Sequence, residues 1–182
     1  MNSTLVAVDH DTFPGMKFLL AGLLVASAAL AQTVQVEFDQ AAAFSDFKTF
    51  AIRDGRLNSK DPMLNSDLTK KRLETDIQHA LEAKGMVFMP SGPADLNVRY
   101  SLGAVQKRET ERYPAGWRGM GTRVVRVPYI AGTLVIDLRS SAARALVWRA
   151  VAREESRDPA KVERKLDDMV KKAIDKYPPK TK

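Results

Sequence analysis

Gly132-Thr133-Leu134-Val135-Ile136-Asp137-Leu138, a turn over residues 139–144, and then Ala145-Leu146-Val147-Trp148-Arg149-Ala150-Val151-Ala152-Arg153 form the stretch that decides the fold. Leu134, Ile136 and Leu138 alternate with Thr133, Val135 and Asp137, and a period of two marks a half-buried strand. The polar residues between the two runs return the chain beside itself as a hairpin. Trp148 shares a strand face with Leu146, Ala150 and Ala152 and is expected in the core. Arg149 points the other way, with Val147 and Val151.

Working outward, Val34, Val36 and Phe38 alternate with Gln35, Glu37 and Asp39, which predicts a second half-buried strand. Phe44, Phe47 and Phe50 lead into a short strand over residues 49–53. Residues 54–65 hold Gly, Asn, Ser, Asp and Pro and are expected as a loop. A helix is predicted over residues 67–84, with Ser66 as its N-cap, Gly85 as its left-handed stop, and Leu73, Ile77, Ala80 and Leu81 as its buried stripe. Asp95 opens a strand whose Leu96, Val98, Tyr100, Leu102 and Ala104 share a face. Residues 105–128 have no clean period, so a long hairpin arm and a loop both stay open there.

A second helix is capped by Asp158, with Pro159 at its first position. Val162, Leu166, Met169, Val170, Ala173, Ile174 and Tyr177 make one apolar face. Asp167–Lys171 and Asp168–Lys172 are four-apart pairs on its wet side. The expected architecture is α+β: a single two-layer domain over residues 32–182, with a mainly antiparallel sheet and two amphipathic helices packed on one face.

Residues 16–31 read as a cleavable signal peptide. Lys17 supplies the positive start, residues 18–26 the apolar core, and Ala29-Leu30-Ala31 the small-x-small site, with cleavage before Gln32. The uncharged run of 14 residues from position 18 to 31 is short of the about 20 that span a bilayer. Residues 1–15, with Asp9 and Asp11 and the turn signal Pro14-Gly15, fit an upstream extension preceding a start at Met16. The chain of 182 residues carries a net charge of +7, and removing Lys17, Asp9 and Asp11 leaves it one charge more basic. That charge favours anionic partners and opposes self-association. Cysteine is absent, which excludes thiol catalysis, cysteine metal sites and an acylated N-terminal cysteine. The expected location is periplasmic or secreted, without a lipid anchor and without a transmembrane helix in the mature chain.

The residue types that carry chemistry do not converge. His79 stands about 200° around its helix from Ile77 and faces solvent, and no second ligand lies at helical spacing for a metal. Asp167 and Asp168 diverge as helix neighbours, Glu154-Glu155 reads as a solvated turn at a strand end, and Ser140-Ser141 has no histidine to activate it. Gly116, Gly119 and Gly121 lack the spacing and strand-to-helix context of a phosphate loop. No catalytic residue, metal or cofactor is therefore expected.

Charge placement is the informative feature. Arg99, Lys107, Arg108, Arg112, Arg118, Arg123 and Arg126 face only Glu109 and Glu111 in the same stretch, with Tyr113, Trp117 and Tyr129 interleaved. Arg112, Trp117, Arg118, Arg123 and Arg126 are the candidate binding residues. Basic residues interleaved with aromatics serve nucleic acid elsewhere, but export argues against that partner. Anionic lipid, lipopolysaccharide or an envelope protein fits the compartment.

Several blocks carry a family resemblance: Phe44-Ser45-Asp46-Phe47-Lys48-Thr49-Phe50, Leu81-Glu82-Ala83-Lys84-Gly85, Ala94-Asp95-Leu96-Asn97-Val98, the stretch from Gly132 to Leu138, Leu146-Val147-Trp148-Arg149, and Tyr177-Pro178-Pro179. In this order they resemble the bacterial "domain of unknown function 4136" family of exported proteins, which are frequently outer-membrane lipoproteins. The chain departs from that pattern in having no lipobox cysteine, and in Ala150 where a glycine commonly follows the Trp-Arg pair. The resemblance implies an α+β envelope protein and brings no activity with it. The expected function is a non-enzymatic binding or interaction module, acting on anionic envelope components; an enzyme of unrecognised type on an envelope substrate is the alternative.

Overall fold

Trp148 lies fully buried in a computed structural model that describes residues 32–115 and 121–180. The upstream extension, the signal peptide and its cleavage site lie outside the described residues, as do Gly116, Trp117, Arg118 and Gly119. The strands are β1 (Thr33–Phe38), β2 (Thr49–Ser59), β3 (Val87–Phe88), β4 (Leu96–Ala115), β5 (Gly121–Ser140) and β6 (Leu146–Ser156). The helices are α1 (Asp67–Glu82), α2 (Pro159–Arg164) and α3 (Leu166–Ile174). The strands form one sheet in the order β1-β6-β5-β4-β2-β3. Pairing is antiparallel for β1–β6, β5–β6 and β4–β5 and parallel where β2 meets β3 and β4, so the sheet is mixed and the class α+β.

Cross-strand register explains the core. Ile52, Val98, Leu138, Trp148 and Phe38 stand in one row across β2-β4-β5-β6-β1, and Leu57, Leu102, Leu134, Ala152 and Val34 in another. Side chains in such rows point to one face, and there α1 lays Leu73, Ile77 and Leu81 while α3 lays Leu166, Met169, Val170, Ala173 and Ile174. The Trp148 ring meets Tyr177 edge-on at 5.7 Å, and Tyr177 meets Phe44 at 5.9 Å. The caps are as the residue types dictate: Thr69 N–H donates to Ser66 Oγ, Ala160 N–H donates to Asp158 Oδ1, and Gly85 takes φ +84°.

Four expectations are corrected. Residues 54–59 continue β2 instead of starting a loop, and Gly55 is there for packing. A Cβ at Gly55 would lie 2.3 Å from Tyr100 Cζ, so the glycine leaves room for a ring whose hydroxyl donates to Glu74 Oε1 at 3.0 Å. The second helix is broken at Lys165 into α2 and α3. Glu154 is not in a solvated turn: it is 1% exposed, on the same β6 face as Trp148, with Lys165 Nζ at 3.7 Å. Breaking the helix at Lys165 places that ammonium beside the buried carboxylate. Asp167 turns to Arg72 at 3.8 Å, away from Lys171, while Asp168–Lys172 forms at 3.8 Å as expected.

The opposite face of the sheet carries Arg149, whose Nε and Nη2 reach the two Asp137 oxygens at 2.6 and 2.7 Å. Those hydrogen bonds push the guanidinium pKa further up. At the start of β4, Asp95 accepts from Lys48 N–H at 2.9 Å and from Thr49 N–H and Oγ1 at 2.8 Å, tying the beginnings of two parallel strands together. The backbone bond from Lys48, then those of Thr49, hold the Asp95 pKa below its ordinary value.

Two predictions follow from this packing. Trp148→Ala should lower unfolding free energy by about 3–5 kcal/mol, as large aromatic truncations do, with Arg149→Ala costing much less; denaturant titration of both measures it. Because Asp95 has a depressed folded pKa, its contribution is present above the unfolded carboxylate pKa of about 3.9 and is lost as pH falls below that. Midpoints measured between pH 7 and 3 should therefore drop more steeply for the wild type than for Asp95→Asn, which is less stable at pH 7.

Candidate functional site

The strand β2 makes its last pair at Ser59–Ala104, and β6 makes its last at Ser156–Ile130. Beyond both rows β4 and β5 pair only with each other, from Lys107–Tyr129 to Ala115–Gly121, without a register shift. Residues 107–115 and 121–129 thus make a two-stranded arm. At about 3.4 Å per residue it projects roughly 30 Å from the sheet. Thr110, Thr122, Val124, Val125 and Val127 supply the β-branched content that suits extended backbone. Both outer edges of the arm lack a strand partner among the described residues.

Unbroken register sorts the arm's side chains. The face continuous with the helix-packed side carries Gln106, Arg108, Thr110 and Arg112 from β4 and Thr122, Val124, Arg126 and Ile130 from β5. Every charge among those residues is positive. Arg126 stands opposite Thr110, and hence diagonal to Arg108 and Arg112 at about 7–8 Å. All three arginines are exposed, and none has an ion pair or hydrogen bond among the described residues. The other face carries Val105, Lys107, Tyr113, Arg123, Val125, Val127 and Tyr129. There Lys107 is tied down, 3.7 Å from Glu155 and 5.9 Å over the Tyr129 ring.

The sequence candidates are therefore split. Arg112 and Arg126 come together, Arg123 lies on the opposite face, and Trp117 and Arg118 fall outside the described residues. Arg108 joins Arg112 and Arg126 and was not among the candidates. The signal that could have found it is parity: Arg108 and Arg112 are four apart, which puts them on one side of any strand.

Two concave regions lie elsewhere. A cleft of about 700 Å³ at the root of the arm is lined by Ser59, Lys60, Asp61, Ala104, Gln106 and Ile130 among others. Its Ser59 hydroxyl accepts from Asp61 N–H at 3.0 Å and its Asp61 carboxylate from Met63 N–H at 2.9 Å, so these groups serve the chain's own turn. A groove of about 450 Å³ between α1 and α3 holds Asp76, His79, Lys84, Asp167 and Asp175. Lys84 takes up Asp175 at 3.7 Å and Arg72 takes up Asp167 at 3.8 Å; burial pushes the Asp76 pKa up. No cluster of three or more His, Cys, Asp or Glu placed for a metal occurs among the described residues. Ser140 Oγ accepts from Ala143 N–H within the turn, and Ser141 Oγ accepts from Asn97 Nδ2 on β4. Among the described residues no helix is long and apolar enough to cross a membrane.

The family model for a domain of unknown function, DUF4136, matches residues 34–179. A search of curated proteins finds no match. Among solved structures, a PDZ domain protein from Parabacteroides distasonis superposes with a TM-score of 0.53 at 14% identity, over 82% of this chain and 36% of that one. The chain thus spans about a third of that protein, and the likeness is one of fold. PelC from Paraburkholderia phytofirmans, described as a dodecamer, gives 0.48 at 15% identity over 79% and 95% of the two chains. A minor lipoprotein from Acinetobacter baumannii gives 0.32 at 15% identity over 71% and 91%.

Proposed function

Because the chain belongs to the DUF4136 family of domains of unknown function, we propose from its own geometry that it is a non-enzymatic envelope protein, an interaction module that binds anionic envelope components through the β4–β5 arm. One observation carries this: Arg108, Arg112 and Arg126 gather on one exposed face, with no counter-charge bound to them among the described residues. Like charges brought close destabilise a sheet, so the cluster gains from an anion laid across it. Its position on a projecting ribbon lets it meet an extended surface without the core approaching. The export signal read from residues 16–31 supplies the compartment, where lipid headgroups and lipopolysaccharide phosphates are the abundant anions. Binding is favoured over chemistry because Ser59 and Asp61 in the first cleft are engaged by the chain's own turn, and Asp167 and Asp175 in the second by neighbouring cations.

Each Lys or Arg close to an anionic membrane contributes about 1 kcal/mol, and the attraction fades within a Debye length. Co-sedimentation of the purified protein with vesicles containing anionic phospholipid or lipopolysaccharide should therefore weaken steeply from low to physiological salt. Changing Arg108, Arg112 and Arg126 together to Gln should remove most of the binding. Arg123→Gln, on the other face, and Lys180→Gln, in the tail, should each remove little. Absence of binding at low salt, or a triple variant that binds like the wild type, rules the arm out as the anion site.

A further inference from the structure

We infer that the free edge of β5 is a self-association edge: a second copy of this chain adds its own β5 antiparallel to residues 121–127, joining two arms into a four-stranded ribbon. An isolated two-stranded ribbon is marginal in water, and three or more strands are the usual remedy. The arm has nine rows of that kind, from Lys107–Tyr129 to Ala115–Gly121. Its β5 edge is open because β6 leaves the sheet after Ser156. Thr122-Arg123-Val124-Val125-Arg126-Val127 carries four β-branched residues in six, and Val124 is 57% exposed.

Charge decides which edge pairs and with what. Two copies related by a two-fold axis perpendicular to the ribbon keep like faces together, so each residue on the Arg126 face meets one from the same face of the second copy. Centred on Val124, the pairing sets Arg126 against Thr122 of the second copy and Arg123 against Val125 of the second copy. No cation then meets a cation, and the pairing ends before Pro128, which has no N–H to give. Centring on Arg123 or Arg126 would set that guanidinium on its own copy. The other edge fares worse, because Lys107-Arg108-Glu109-Thr110-Glu111-Arg112 has five ionisable residues in six. Centring that edge on Thr110 sets Arg108 against the second copy's Arg112, and like charges directly opposite are destabilising. The partner that fits β5 without repulsion is β5 itself.

Pairing also has a consequence for the anion reading, although it does not rest on it. Arg108, Arg112 and Arg126 of both copies come to lie on one side of the joined ribbon, doubling the cationic face.

The chain has no cysteine, so single cysteines report the geometry directly. Directly opposed residues in an antiparallel pair have Cα atoms about 4.5–5.5 Å apart, within reach of a disulfide. Val124→Cys should give a covalent dimer under mild oxidation at low micromolar full-length protein, while Thr110→Cys stays monomeric. Sedimentation of the unmodified protein should show a dimer that persists or tightens as salt rises, because the two arms are both cationic. Vesicle binding should show the opposite salt trend, so failure of one reading leaves the other measurable. Val124→Lys, which sets two ammonium groups face to face, should return the protein to monomer while its melting temperature, read in parallel, shows the core intact. A Thr110→Cys dimer in place of a Val124→Cys dimer, or a monomer at every concentration and salt, overturns the proposal.

Discussion

Leu96 pairs with Ser140 and Ala115 with Gly121, and between those ends β4 and β5 never slip. That continuous pairing is the constraint on which the rest depends. In the inner half it holds Leu96, Val98, Tyr100 and Leu102 beside Leu138, Ile136 and Leu134, the floor on which both helices pack. In the outer half the same parity places Arg108, Arg112 and Arg126 on one side. Because side chains alternate strictly along a strand, a one-residue slip would expose the core leucines and scatter the arginines together. Core and candidate site therefore share one geometric specification.

The two charged regions of the sheet behave differently. On the face away from the helices, Asp54, Arg99, Asp137, Arg149 and Glu37 stand in one row across five strands, alternating in sign. Asp137 is doubly bound by Arg149, and Asp54 accepts from Arg56. Exposed ion pairs add little stability singly, but an alternating row penalises any register that brings like charges together. Among the described residues, Arg108, Arg112 and Arg126 of the arm have no such partners. One set of charges is spent on register inside the sheet; the other stands exposed on the arm.

Much of the fold was legible in the residues because contrast was high. Leu134, Ile136 and Leu138 against Thr133, Val135 and Asp137 leave one solution, and Ser66, Gly85, Asp158 and Pro159 mark helix ends by their chemistry. The arm was not legible, since residues 106–112 are polar on both faces and a period of two has nothing to modulate. Gly55 read as a breaker, yet its role is to admit the Tyr100 ring, a contact between strands separated by a helix. Glu154 shows parity losing to composition: it continues the Trp148, Ala150, Ala152 face, but a carboxylate argued for solvent. Its partner, Lys165, comes from a helix whose break no local signal marked. The candidate site was half legible. The sequence marks the basic stretch, while which of its arginines share a face depends on a register the residues do not display.

Both neighbours of the arm leave the sheet close to the same row, β2 after Ser59 and β6 after Ser156. Everything beyond Ala104 and Ile130 is therefore a module whose length is independent of the hydrophobic interior. Two residues inserted in β4 and two in β5 would add two rows, lengthen the reach by about 6.8 Å, keep the arginines on their face, and leave every buried contact untouched. A single residue inserted in one strand alone would either bulge there or turn over the faces of all that lies beyond it. Descendants of this chain are thus free to vary reach in paired steps, while the sidedness of the arginines resists any unpaired insertion or deletion.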